Sequence, residues 1–139
     1  MSLRSMGVSL VLLALPALVA AQDQAKKPPL VIESMAGKDL FLFYCGSCHG
    51  ADARGRGPVA GALKSAPADL TRIAMRNGGV FPRDRITAFV SKGGTQVPAH
   101  GTHDMPVWGP IFTGLDPSEA RTRVRIENLV AYVESLQER

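Results

Sequence analysis

The chain has 139 residues, enough for one domain of modest size. Sixteen Lys and Arg against twelve Asp and Glu leave a formal charge of +4 at neutral pH. The basic residues are scattered and not interleaved with aromatics, so nucleic-acid binding has no support. Hydrophobic residues make up an ordinary 45% of the chain, and part of that share sits in one N-terminal block.

That block has three parts. Met1 to Met6 is short and polar with a single charge, Arg4; Gly7 to Ala21 is a nearly unbroken apolar run; Val19-Ala20-Ala21 places small residues before Gln22. This is the layout of a secretory signal peptide. A transmembrane anchor is the alternative, but it needs about 20 apolar residues, and this run is shorter and contains Pro16. No cysteine stands at the cleavage point to take a lipid. Residues 1–21 are therefore expected to be a cleaved leader, and the mature protein to be soluble and exported, periplasmic in a bacterium. Losing Arg4 lowers the formal charge from +4 to +3.

Residues 22–33, with Lys26-Lys27-Pro28-Pro29, read as an extended lead-in. Residues 34–139 form the expected domain. Ser34 is a candidate N-cap for a helix running from Met35 towards Cys45, with Gly37, Leu40, Phe41 and Tyr44 along one face. There the two aromatics are expected to pack in the core and stiffen the turn that begins at Cys45.

That turn is Cys45-Gly46-Ser47-Cys48-His49, and it holds both cysteines of the chain. Two thiols at this spacing with a histidine directly after them are the signature of covalent c-type haem attachment. Two thioethers to one porphyrin require two sulfurs a short, fixed distance apart, and the next residue is carried to the iron. A thioredoxin-like dithiol would need a βαβ pattern, which is not found, and it leaves His49 idle. A zinc site could recruit His100 and His103, but across a gap far longer than compact zinc modules use. A disulfide between Cys45 and Cys48 is cramped, because bridged Cα atoms usually sit about 5.5 Å apart.

Gly50 to Pro67 has loop composition and contains Arg54-Gly55-Arg56-Gly57-Pro58. It lacks P-loop spacing and is expected instead to wrap the proximal side of the haem. An iron-bound histidine commonly gives its other ring N–H to a backbone carbonyl. Pro58 is the candidate to supply that carbonyl, the alternative being that it only shapes a turn. Pro67-Ala68-Asp69-Leu70 opens a second short helix to about Arg76, ended by Asn77-Gly78-Gly79. A third helix is expected from Pro82 to Lys92, with Ile86, Phe89 and Val90 inward and Gly93-Gly94 stopping it. Gln96 to Pro110 reads as a second long loop. Asp116-Pro117-Ser118-Glu119 then starts a last helix, with Asp116 as its cap, that runs to about Gln137 along the stripe Ile126, Leu129, Val130, Val133 and Leu136. No repeat or strand-like alternation stands out, so the class is all-α, with three to five helices.

The second iron ligand is sought among Met35, Met75, Met105, His100 and His103. Met35 is too near the motif, and Met75 falls inside a predicted helix, where core packing is the ordinary role. Met105 lies in a Gly- and Pro-rich loop able to fold back across the ring, next to the stiffening Pro106. It is the preferred ligand; the two histidines remain as alternatives. A thioether ligand raises the potential relative to two histidines, which suits an electron carrier.

Together, Cys45-Gly46-Ser47-Cys48-His49-Gly50, the late Met105-Pro106-Val107-Trp108-Gly109 and the amphipathic C-terminal helix resemble a monohaem class I cytochrome c. The likeness spans about Ser34 to Arg139 and is nearest to bacterial domains such as the cytochrome subunits of cbb3-type oxidases. It implies a cytochrome c fold wrapped around one covalent haem c, with first and last helices crossing through Gly37, Phe41 and Tyr132. It also implies that Pro58 lies in the proximal loop and Trp108 near a haem propionate. The segment Pro98 to Asp104, with its two histidines, departs from the family pattern. The family carries single electrons between larger redox proteins, so the expected partners are a donor and an acceptor, met as a monomer or as a subunit of a redox complex. Two haem propionates would bring the exported protein near neutrality. The competing class is a haem enzyme of peroxidase type, or a gas or redox sensor, with a displaceable sixth ligand and His100 or His103 as distal acid-base groups.

Overall fold

The computed structural model describes residues 31–93 and 105–138. The expected leader, most of the lead-in, His100 and His103 lie outside the described residues. Among those described there are helices and no strands. The helices are α1 (Gly37–Tyr44), α2 (Gly46–His49), α3 (Ile73–Arg76), α4 (Arg83–Lys92), α5 (Trp108–Leu115) and α6 (Glu119–Ser135). Two 3-10 turns, Ala60–Ala62 and Leu70–Arg72, interrupt the long connection between α2 and α3. The class is all-α, as expected, but six α-helices are described in place of the expected three to five, because α2 and α3 are single short turns and α5 forms from the end of the expected loop onward. None of these helices is long and apolar enough to cross a membrane.

α1 starts two residues later than expected. Its N-cap is Ala36, while the Ser34 hydroxyl accepts from the Ala36 amide at 3.2 Å and donates to Asp39 at 2.6 Å. Asp39 thus places its negative charge in the first turn, where the helix dipole favours it. Leu40 and Phe41 are fully buried, and Phe41 meets Tyr132 with ring centroids 5.5 Å apart. Gly37 lets α1 and α6 cross closely: a Cβ there would collide with the Asn128 carbonyl and lie 2.8 Å from Tyr132 Cβ. The Asn128 amide group donates to the Met35 carbonyl at 2.7 Å and fastens the same crossing.

α5 is not legible as a helix in the sequence. Its third residue is Pro110, but the first turn of a helix has no intrahelical acceptor for its amides, so a missing N–H costs nothing there. Gly109 brings α5 against α4, because a Cβ would strike the Ser91 carbonyl. α6 is capped by Ser118, whose hydroxyl accepts from the Arg121 amide at 3.3 Å, and not by Asp116.

Asp116 has a different task. Its carboxylate accepts from the Ser118 amide at 3.1 Å, and one oxygen lies 2.8 Å from Arg121 Nε and 3.2 Å from Arg125 Nη2. Arg125 is only 1% exposed, and its guanidinium nitrogens sit out of hydrogen-bonding alignment. The Ser118 amide bond, against the opposing effect of burial and with help from Arg125 and Arg121, holds the Asp116 carboxyl below the usual carboxylate range. A lowered native pKa means the unfolded chain takes up protons first on acidification. Asp116 therefore contributes stability at neutral pH that is lost as pH falls through its depressed native pKa. Asp116→Asn is expected to lower the thermal midpoint at pH 7 and to flatten the acid limb of stability below about pH 4, read by calorimetry against the parent.

The interior has two adjoining clusters. Leu40, Phe41, Cys45, Ala53, Ile73, Leu129 and Val133 form the first; Val90, Phe112, Ile126 and Val130 form the second. Tyr44, Phe81 and Ile86 pack against both. Four residues of the expected α6 stripe are buried, with Leu136 partly so.

Candidate functional site

The turn of α2 arises from two backbone facts. The Cys45 amide still bonds back to Phe41 at 2.8 Å, while the His49 amide bonds to Cys45 at 2.9 Å, so the chain re-enters a helix after one irregular residue. Gly50, with φ +80, ends that turn in the left-handed region that glycine occupies without strain. Cys45 and Cys48 are both free thiols, the first buried and the second half-buried. Burial, with the neighbouring Cys48, pushes the Cys45 thiol up to about 12, so it stays protonated at neutral pH.

His49 is 8% exposed. Its Nδ1 lies 3.0 Å from the Ala68 carbonyl oxygen. A carbonyl can only accept, so Nδ1 carries the proton and the Nε2 lone pair is left for a metal. Burial lowers the pKa of the ring and the Ala68 bond partly opposes it, so the imidazole is neutral at pH 7.

The carbonyl on His49 is thus Ala68's and not Pro58's. The Gly57 amide bonds to Cys48 at 3.0 Å and the Val59 amide to Ser47 at 3.1 Å. These two bonds pin the chain on either side of Pro58 to the back of α2, and Pro58 itself is the exposed apex of a turn. The strap then continues to Ala68 before it meets the imidazole.

Met105 is half-buried against the second cluster, together with Trp108. Trp108 stacks on Phe112 at 5.4 Å, and Tyr44 touches both rings, at 5.3 Å from Trp108 and 4.9 Å edge-on to Phe112. Tyr44 directly precedes Cys45. The segment 105–112 is therefore brought beside the Cys-His turn through one aromatic ring.

No family model matches the chain, and comparisons with curated proteins and with solved structures find no significant match.

Other candidates fall elsewhere. Met75, expected to pack in the core of its helix, is 51% exposed. The Met35 carbonyl is engaged by Asn128 at the α1–α6 crossing. Among the described residues no group of three or more His, Cys, Asp or Glu is placed to hold a metal ion. Of the basic residues near the Cys-His turn, Arg54 pairs with Glu138 at 2.5 Å and Arg56 with Asp52 at 3.5 Å. Ala68 leaves no mark in the sequence, because a backbone carbonyl acts without a side-chain signature. Tyr44 is legible there as a core residue, but its role as the link between the two walls is not.

The donor set fits a c-type haem. Two free thiols sit within one turn, and a neutral imidazole with a fixed tautomer comes directly after them. Cys45 and Cys48 would hold the porphyrin edge, His49 would present Nε2 to iron, and Met105 would be the candidate second ligand.

Proposed function

We propose that this chain is a monohaem class I c-type cytochrome, an exported carrier that passes single electrons between redox proteins. The observation that carries this reading is His49: buried, neutral, its Nδ1 committed to Ala68, and adjacent to two free thiols. When bound, the haem supplies the one-electron chemistry. The chain's own residues do the rest. Cys45 and Cys48 anchor, Ala68 orients the His49 ring, and Met105 offers sulfur from the opposite segment. The two apolar clusters keep water from the ring, and a fixed set of ligands keeps the reorganisation on electron arrival small. Docking need only be brief, as in redox encounters that bury less than about 1,200 Å² in total.

The test is to express the full chain with c-type haem maturation and denature the product. Retained red pigment supports the reading, and a colourless chain overturns it. A native reduced protein indifferent to carbon monoxide supports the carrier, whereas rapid gas binding favours the enzyme or sensor.

A further inference from the structure

The strap from Gly50 to Ala74 holds the Ala68 carbonyl that orients His49, and much of its anchoring comes from the far end of the chain. Near α2 it is tied by the Gly55, Gly57 and Val59 amides to the carbonyls of His49, Cys48 and Ser47. Beyond Ala68 it is tied to Ala53 by the Leu70 amide at 2.8 Å. The Arg76 guanidinium donates to the Asp69 carbonyl at 2.6 Å, and further ties come from Gln137 and Glu138, just past α6. The Gln137 carboxamide donates to the Leu70 carbonyl at 2.7 Å and accepts from the Ala74 amide at 2.8 Å, so one side chain spans that whole segment. The same Nε2 also donates to Val133 at 2.8 Å, which keeps the carboxamide against α6. The Glu138 amide donates to the Thr71 carbonyl at 2.8 Å. Its carboxylate meets Arg54 at 2.5 Å and Arg72 at 3.2 Å, one residue from each end of the strap.

We propose that Gln137 and Glu138 are positioning residues for His49, acting as a hook that holds the Ala68 carbonyl on the imidazole. This rests on the reading of His49 as an iron ligand for its consequence, though the hook itself does not require iron. Ala68 lies two residues before Leu70, so any slack in the 70–74 segment is passed to the acceptor. A ring whose Nδ1–H is held less firmly is a less basic ligand and stabilises the oxidised iron less. Loosening the hook should therefore raise the midpoint potential.

The experiment compares parent and Gln137→Ala full chains, haem-loaded, with nitrogen-labelled histidine. In the reduced state the exchange of the His49 Nδ1–H with solvent should quicken about tenfold or more, because the variant removes both of the carboxamide's hydrogen bonds to the strap. The midpoint potential should rise, while the weak far-red band of the oxidised form, which reports a methionine sulfur on the iron, stays in place. Unchanged exchange and potential, with only the thermal midpoint lowered, would mean that the hook merely stabilises the fold and would overturn the proposal. Should Gln137→Ala not accumulate, Glu138→Gln breaks only the two ion pairs, and exchange equal to the parent then overturns it. If the parent itself carries no haem, the functional reading fails. The exchange measurement on the haem-free chain still decides whether the hook holds the ring.

Discussion

In the haem-loaded protein, Met105→Ala is expected to abolish the far-red band of the oxidised form entirely and to open the sixth position to carbon monoxide. Alanine removes the only sulfur of the 105–112 segment, which the Tyr44–Trp108 contact sets beside the Cys-His turn. The packing loss is smaller than the electronic one. Met105 is half-buried against Val90, Phe112, Ile126 and Val130, so truncation should fall at or below the low end of the about 2–5 kcal/mol typical of a fully buried methionine. Met75→Ala is the control: at 51% exposure it should alter neither spectrum nor stability. A retained far-red band in Met105→Ala would assign the ligand to another residue.

The largest effect on stability is expected at Gly37. Valine there points a branched side chain into the Asn128 carbonyl and Tyr132 Cβ, atoms fixed to α6 and unable to swing aside. The two helices must separate, which loosens Phe41 from Tyr132 and lengthens the Asn128–Met35 bond. Overpacking usually costs about 1–3 kcal/mol, and a clash with backbone belongs at the upper end or beyond. Against a domain stability of about 5–15 kcal/mol this is a large share. Gly37→Val should lower the denaturation midpoint accordingly and reduce the yield of matured protein, since α1 leads straight into Cys45. Gly37→Ala, with one methyl group, should show the same defect in smaller measure. A midpoint equal to the parent would show that α1 and α6 can part without loss.

Much of this architecture can be read in advance where side chains announce it. The apolar faces of α1, α4 and α6 repeat at helical spacing, and Cys45, Cys48 and His49 stand out by type and interval as the candidate site. Other features fail to show for physical reasons. Gly109 and Pro110 are breakers in most settings but fit the first turn of α5, where close approach and a missing amide are both tolerated. Asp116 looks like the cap of α6, yet the capping oxygen is the Ser118 hydroxyl, because the carboxylate is drawn to Arg121 and the buried Arg125. A buried arginine beside an apolar stripe leaves no signal until its partner is placed. Ala68 is the clearest case: its function lies in a carbonyl every residue possesses, and only the path of the strap selects it.

The divided interior has a consequence of its own. Along α6, Ile126 and Val130 serve one cluster while Leu129 and Val133 serve the other, and apart from α6 itself Tyr44, Phe81 and Ile86 are, among the described residues, the side chains that pack against both. Halves joined so narrowly need not melt in a single step. The cluster beside Met105 would then be expected to loosen before the one around Cys45, which α1 and the tail of the chain also hold. Unfolding of the described residues would then be expected to begin at the 105–112 segment, ahead of the global transition.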